Sequence, residues 1–498
     1  MAEGEARVCH ACFGDDFLKR TIRRKGKRET CAYCGKTRVA LPLEEVANLF
    51  ESAIDTHFER TPSEPTEFEQ SMQHEGLMGI WVRDGQPILD LIQEIGDTTK
   101  EIAEAIRDEL ESCHSTREDY EMGNETEFSS ESCYESSAVA SGELEAKWTK
   151  FEHSLKTESR YFSHTAMQVL DTIFSDLEGH RTYRGESVIV DAGPNAPLKN
   201  LFRARFFQSK ASLLTALERP EISIGPPPPL IAGAGRMNAR GIPVFYGATH
   251  PEVALAEVRP PVGSKVVVAQ FDIIRPLRLL NVESLQMLSV GGSHFDPMYL
   301  LHIQKAAFLR ELSERIAIPV VPEDESREYI ATQVIAEYLA SLEKPALDGM
   351  IFPSAQVASK EMKNVVLFHK SAVVANVKRP EGVEFRVRDC EDYEGGPEIE
   401  YSVVEEFDSE AVSPSPKDPT LEELMAEMKM NALVDYREPA LELSVENVWV
   451  RDIKCVEIHS DSYQVSRRLL DKKTYREVEE HQIWPRKFTV DPTESIEI

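Results

Sequence analysis

The sequence predicts a multidomain α+β protein: a cysteine-paired N-terminal module, an all-helical domain, then a domain of mixed strands and helices. Three observations predict it. Two Cys-x-x-Cys pairs fall early in the chain. Apolar residues at helical spacing dominate from 41 to 180. After 181, short apolar strands punctuated by Gly and Pro alternate with helices. A length of 498 residues fits about three or four units. The net charge of −30 excludes a surface that is a nucleic-acid platform throughout, because polyanions would be repelled at long range.

Taken in order, residues 1–40 form the cysteine module. Cys9-His10-Ala11-Cys12 and Cys31-Ala32-Tyr33-Cys34 each let two thiolates face one ion, and two such knuckles complete a tetrahedral Cys₄ shell. The spacing is that of a zinc ribbon. A zinc held by four protein ligands is structural. Between the knuckles, Lys19 to Arg28 is densely basic and reads as a loop for nucleic-acid phosphates, an acidic partner or the chain's own acidic segments. It lacks the interleaved aromatics of a base-stacking platform.

Residues 41–180 read as the helical domain. Leu43, Val46, Leu49, Phe50, Ile54 and Phe58 recur at helical spacing, as do Leu89, Ile92, Ile95, Ile102, Ile106 and Leu110. Between about 112 and 142 Glu, Ser and Asn dominate, which predicts a disordered acidic insert. Leu144, Trp148, Phe151, Leu155, Phe162, Leu170, Phe174 and Leu177 resume the helical pattern.

Residues 181–380 read as the α+β domain, with strands at Val244–Tyr246, Val266–Ile273 and Val365–Phe368. Helices are predicted after Thr249, whose hydroxyl with Glu252 makes a capping-box pattern, over Leu300–Ile316 and from Ile330 to Leu342. Residues 381–498 are acidic from Glu391 to Glu410, then strand-like at Val448–Val450 and Cys455–Ile458. They predict an extension, a small domain or a lid. The residues after Met1 do not resemble a secretory signal, and no run of about 18 apolar residues is present. Eight cysteines are few for a disulfide scaffold, so a reducing cytoplasm is the expected compartment.

The candidate chemistry lies between residues 200 and 370. In Leu201-Phe202-Arg203-Ala204-Arg205-Phe206, both arginines share one face of a strand. Gly235-Arg236-Met237-Asn238 leads to the strand ending at Tyr246. The helix after Thr249 ends Ala254-Leu255-Ala256-Glu257. Pro353-Ser354 and Asn364-Val365-Val366-Leu367-Phe368 follow. Any one of these arginines is more often a surface ion-pair partner, but the order and spacing carry the assignment.

Phe-Arg-Ala-Arg, Gly-Arg-Met-Asn, Ala-x-x-Glu-Val, Pro-Ser and Asn-x-x-Leu-Phe resemble the RES domain over about residues 181–375. The resemblance implies an ADP-ribosyltransferase-like fold and an enzyme that degrades NAD⁺, as a toxin or defence effector, by breaking the nicotinamide–ribose bond. It implies Glu257, Arg203 and Ser354 as catalytic residues, with Arg236, Tyr246 and Asn364 binding NAD⁺ and Arg205 an alternative to Arg203. The chemistry suits these types. Guanidinium forks clamp diphosphates, and a carboxylate steadies an oxocarbenium-like sugar. Nicotinamide leaves uncharged and needs no acid. The nucleophile is left open between phosphate, water and a macromolecular acceptor.

The helical domain resembles HEPN-related N-terminal domains fused to RES units. That resemblance raises a ribonuclease alternative on Arg107 and His114, an Arg-x₆-His spacing, and a non-catalytic tethered module is a third. Inorganic phosphate, an antitoxin or regulatory protein, and nucleic acid at the basic stretch are the expected partners.

Overall fold

The computed structural model describes the chain apart from residues 1–5, 76–78, 80, 117–121, 123–124, 138–141, 159–162, 318–319, 321–323, 358, 360, 381, 394–395, 408–434, 458–460 and 466–498. Residues up to Ile453 form one compact unit.

Strand β1 (Arg7–Cys9) leads into the first knuckle, and helix α1 (Asp16–Lys25) follows, capped by the Asp15 carboxylate accepting from the Leu18 amide. Strands β2 (Lys27–Thr30) and β3 (Thr37–Pro42) complete a sheet ordered β1-β3-β2. The basic stretch is therefore not a loop. It continues a helix whose Leu18, Thr21 and Ile22 are buried, and this apolar stripe holds Arg20, Arg23 and Arg24 outward on the opposite side.

Helix α2 (Leu43–His57) runs into β4 (Phe58–Arg60). After β5 (Gln86–Pro87), the second apolar pattern forms two helices, α3 (Ile88–Gly96) and α4 (Lys100–His114). The break falls at Asp97, in the left-handed region at φ 45°. Gly96 precedes it because a Cβ there would come within 2.6 Å of Phe50 Cζ. Strand β6 (Cys133–Ser136) lies between β4 and β5. The predicted disordered insert is thus ordered over its later part. Phe128 is fully buried, and Arg83 binds Glu125 through two hydrogen bonds of 2.8 and 3.0 Å. Residues 117–121, 123–124 and 138–141 of that insert lie outside the described residues. One apolar core joins Val8, Phe13, Leu18 and Ile22 of the cysteine module to Phe50, Ile54, Ile92 and Ile106 of the helices.

Helices α5 (Gly142–Thr157) and α6 (His164–Phe174) belong to a different core. Their Trp148, Phe151, Leu170 and Ile173 pack with Leu309, Ile335, Leu339, Met350 and Val366. The sequence boundary at 180 crosses this core.

The α+β unit runs β7 (Ile189–Ala192), β8 (Asn200–Phe207), α7 (Lys210–Glu218), β9 (Phe245–Ala248), α8 (Pro251–Glu257), β10 (Lys265–Ile273), β11 (Leu277–Asn281), α9 (Pro297–Ala317), α10 (Glu325–Ser341), β12 (Gly349–Pro353) and β13 (Lys363–Leu367). Beyond it, β14 (Leu441–Asp452) returns to the same sheet. The strand order is β14-β10-β8-β9-β13-β12-β11-β7, antiparallel except between β11 and β12. The C-terminal segment therefore contributes an edge strand, with Val267 opposite Val450 and Val268 opposite Trp449. Residues 454–457 carry no strand, which corrects that part of the expectation at Cys455; Ile458 lies outside the described residues. Strand β10 reads Val-Val-Val-Ala because it is covered on both faces. Phe245, Phe271 and Leu441 face one core, and Val266, Val268 and Ala248 pack with Val253 and Ala254 of α8.

Helix α8 begins with Pro251 at its first position, and His250 is the cap residue. The predicted capping box does not form. The Thr249 hydroxyl instead accepts from the Lys363 amide at 3.0 Å, tying the turn to β13.

Candidate active site

A cleft of about 390 Å³ opens on the sheet between α8 and α10. It is lined by Arg203, Tyr246, Glu257, Asn364, Arg236 and Tyr329, among others. The sheet itself makes this opening. Among the described residues, β8 and β9 share one ladder pair, Ala248 opposite Phe202. Past that pair Arg203 Nη1 donates to the Tyr246 carbonyl at 2.8 Å. The Arg203 guanidinium also lies 5.3 Å from the Phe245 ring centroid. Burial pulls its pKa down to about 10, which leaves it charged at neutral pH. Arg203 thus braces the cleft wall. Arg205, on the same strand face, is exposed, donates to the Ser223 carbonyl at 2.9 Å and does not line the cleft.

The loop before β9 is built around Tyr246. Its hydroxyl donates to Asn238 Oδ1 at 2.8 Å and accepts from the Met237 amide at 2.9 Å. Burial pushes the phenol up to about 12, against the opposing pull of that amide and of Arg203 and Arg236. Asn238, itself buried, donates to the carbonyls of Gly233, Ala239 and Ile242. Gly235 must be glycine here, since a Cβ would stand 2.6 Å from the Tyr246 hydroxyl. Helix α10 holds the loop from outside: Thr332 donates to the Arg236 carbonyl at 2.7 Å and Gln333 to that of Gly235 at 2.8 Å. Arg236 Nη1 donates to the Ile316 carbonyl at 3.0 Å, and its guanidinium lies 5.6 Å from the Tyr329 ring centroid.

Glu257 stands at the C-terminal end of α8, exposed to the cleft. Its Oε1 accepts from Ser354 Oγ at 2.6 Å and from Asn364 Nδ2 at 2.7 Å. Helix α8 supplies the carboxylate, β13 and the turn after β12 its two donors. Six of the seven candidate NAD⁺-site residues therefore meet: Arg203, Arg236, Tyr246, Glu257 and Asn364 line the cleft, and Ser354 joins through Glu257.

Sequence reasoning assigned no role to Tyr329 or Arg259, which also line the cleft. Arg259 adopts φ 43°, a left-handed conformation uncommon for a residue with a long side chain. Among the described residues no side-chain hydrogen bond or ion pair engages it. Its one available sequence signal was the following Pro260-Pro261, which disfavours a continued helix.

The cysteines form a second centre. Cys9 Sγ lies 3.6 Å from Cys12 and from Cys34, and Cys12 lies 3.7 Å from Cys31. Sulfurs bound tetrahedrally at about 2.3 Å from zinc stand roughly 3.8 Å apart, so the four are placed to bind a metal. The Cys9 amide also donates to Cys31 Sγ at 3.4 Å. Arg107 and His114 are held separately. Arg107 pairs with Asp108, and His114 Nε2 contacts Glu51 Oε1 at 2.6 Å while its Nδ1 lies 3.4 Å from Glu127.

A mixed sheet with an arginine-lined cleft and a carboxylate fixed by two donors suits a sugar-bearing, anionic ligand. Residues 205–388 match the RES domain, and residues 24–169 match HEPN/RES N-terminal domain 1. The chain thus carries a RES-domain match behind a HEPN/RES-type N-terminal match. Arg203 and β14 lie outside the RES match. No curated protein and no solved structure matches the chain significantly. A RES domain is consistent with an NAD-related, toxin-type function and supports an NAD-acting enzyme in general. No helix among the described residues is long and apolar enough to cross a membrane.

Proposed function

We propose that the cleft binds NAD⁺ and cleaves its nicotinamide–ribose bond, removing NAD⁺ as a toxin or defence effector. The observation that carries this reading is the meeting of Arg203, Arg236, Tyr246, Glu257 and Asn364, drawn from three strands, a loop and a helix, on one cleft. The C1′–N bond breaks with its electron pair passing to the pyridine nitrogen. Nicotinamide leaves neutral and the ribose becomes oxocarbenium-like. Glu257 faces that charge. Both of its hydrogen bonds among the described residues fall on Oε1, so Oε2 takes a ribose hydroxyl. Ser354 and Asn364 act through Glu257 and are positioning residues. Arg203 is one too, since its guanidinium is committed to the Tyr246 carbonyl. Arg236 and Arg259 grip the diphosphate. The knuckle cysteines hold a zinc that ties the N-terminal module together and takes no part in the chemistry.

The nucleophile at C1′ is phosphate or water, and product masses distinguish them. Full-length protein incubated with NAD⁺ yields nicotinamide with ADP-ribose-1″-phosphate when phosphate is present, or with ADP-ribose when water attacks. An ADP-ribose adduct on protein or nucleic acid would instead mark a transferase. Intact NAD⁺ under all these conditions overturns the reading. Arg259→Ala raises KM for NAD⁺ by about tenfold to a hundredfold, the loss of one charge-assisted contact, with kcat changed much less. An unaltered KM removes Arg259 from the diphosphate grip.

A further inference from the structure

A second cavity, of about 600 Å³, lies where α5 and α6 meet the N-terminal half of α9. One part of its lining is apolar: Leu144, Val290, Met298 and Leu301. Met298 and Leu301 are 52% and 47% exposed, so large apolar side chains on α9 face water here. The rest is mostly cationic. Lys305 donates to the Ser175 carbonyl and, at 2.7 Å, to the Ser175 hydroxyl, which fixes its ammonium against the end of α6. His180 and His302 stand in the same lining, with Arg181 and Lys147.

Two carboxylates oppose them. Glu143 pairs with Lys147 at 2.8 Å, which leaves Asp176 to act on Lys305 and His180, with Arg181 a further cation of the lining. The balance is positive. Among the described residues, the buried His180 Nε2 has no hydrogen-bond partner. A polar nitrogen left without a partner beside a roomy cavity is one that a ligand or water can satisfy. Burial also pushes Lys305 down to about 8, with Asp176 pulling the other way, so it remains mainly protonated at neutral pH.

We propose that this cavity is a binding site for a small organic anion, its charged head held by Lys305 and His180 and its apolar body resting on Leu144, Met298 and Leu301. The site is separate from the NAD⁺ cleft, and the assignment does not depend on what the cleft does. The two share one helix, however: α9 continues from Lys305 to Ile316, whose carbonyl accepts from Arg236.

Calorimetric titration of the full-length chain with hexyl phosphate tests the proposal, with hexanoate in a parallel arm to separate a phosphate from a carboxylate head. Inorganic phosphate and hexanol serve as half-ligands. Saturable binding of hexyl phosphate or hexanoate is expected, at least tenfold tighter than either half-ligand. It weakens at least tenfold in Lys305→Met and in Met298→Glu, a change at an exposed position that spares the fold. It is unchanged in Arg259→Ala, a cleft variant. Absence of saturable binding, equal affinity in Met298→Glu, or loss of binding in Arg259→Ala would each overturn the site.

Discussion

Glu257→Gln slows nicotinamide release by about 10²- to 10³-fold while leaving the melting temperature nearly unchanged. The substitution is chosen for its neutrality toward structure. The Gln carbonyl oxygen can keep accepting from Ser354 and Asn364, which now bond Glu257 Oε1 at 2.6 and 2.7 Å. What disappears is the negative charge facing the ribose as it turns cationic. The residue is exposed at a helix end, so loss of the charge exacts little from folding. Rate is measured by nicotinamide release under saturating NAD⁺, and fold by thermal melting. A variant that turns over at the parent rate would show that the carboxylate is not part of the chemistry.

The second large effect concerns the cysteine knuckles. In the double variant Cys9→Ser and Cys12→Ser, elemental analysis finds the bound zinc lost, and the N-terminal core fails to fold. Structural zinc contributes roughly 10–16 kcal/mol of apparent binding free energy in small metal-folded peptides, comparable to the whole stability of a domain. Here the knuckle is continuous with the helices. Phe13 packs 6.0 Å from Phe50, Thr98 Oγ1 donates to the Cys12 carbonyl at 2.9 Å, and the Gly14 amide donates to the Asp97 carbonyl at 2.8 Å. Losing the metal therefore removes support from α2, α3 and α4 as well. The sheet has cores of its own, so calorimetry shows one transition lost and a later one kept. An unchanged zinc content, or an unchanged melting profile, would mean the thiols are not ligands.

The parts of this protein readable from sequence are those encoded locally. Helical spacing located α2 and α9, and the knuckles declared themselves by a two-residue gap. Glu257 was legible through the ordered motifs that resemble the RES domain, where Ala-x-x-Glu-Val follows the two arginine motifs. The rest depended on partners distant in the chain. Strand β6 lay hidden in a polar stretch because its neighbours, β4 and β5, come from residues 58–60 and 86–87. Arg203 and Arg205 look equivalent in the chain. They differ because Arg203 donates to the Tyr246 carbonyl beside the cleft, past the one ladder pair of β8 and β9, whereas Arg205 donates to that of Ser223. Asn238 stood in a quoted motif, yet its three carbonyl partners and the Tyr246 hydroxyl explain it only once the loop is folded. Arg259 owes its place to an unusual backbone angle that no spacing rule encodes.

Strand β14 has a consequence in time. It is the last strand of its sheet to be synthesised, and it covers β10 from Lys265 to Ile273. While the ribosome is still working on the acidic stretch before it, that flank of the sheet is bare, and a cleft resting on an unfinished sheet is poorly set for catalysis. Translation order thus leaves the cleft without its full platform until the last strand has joined the sheet.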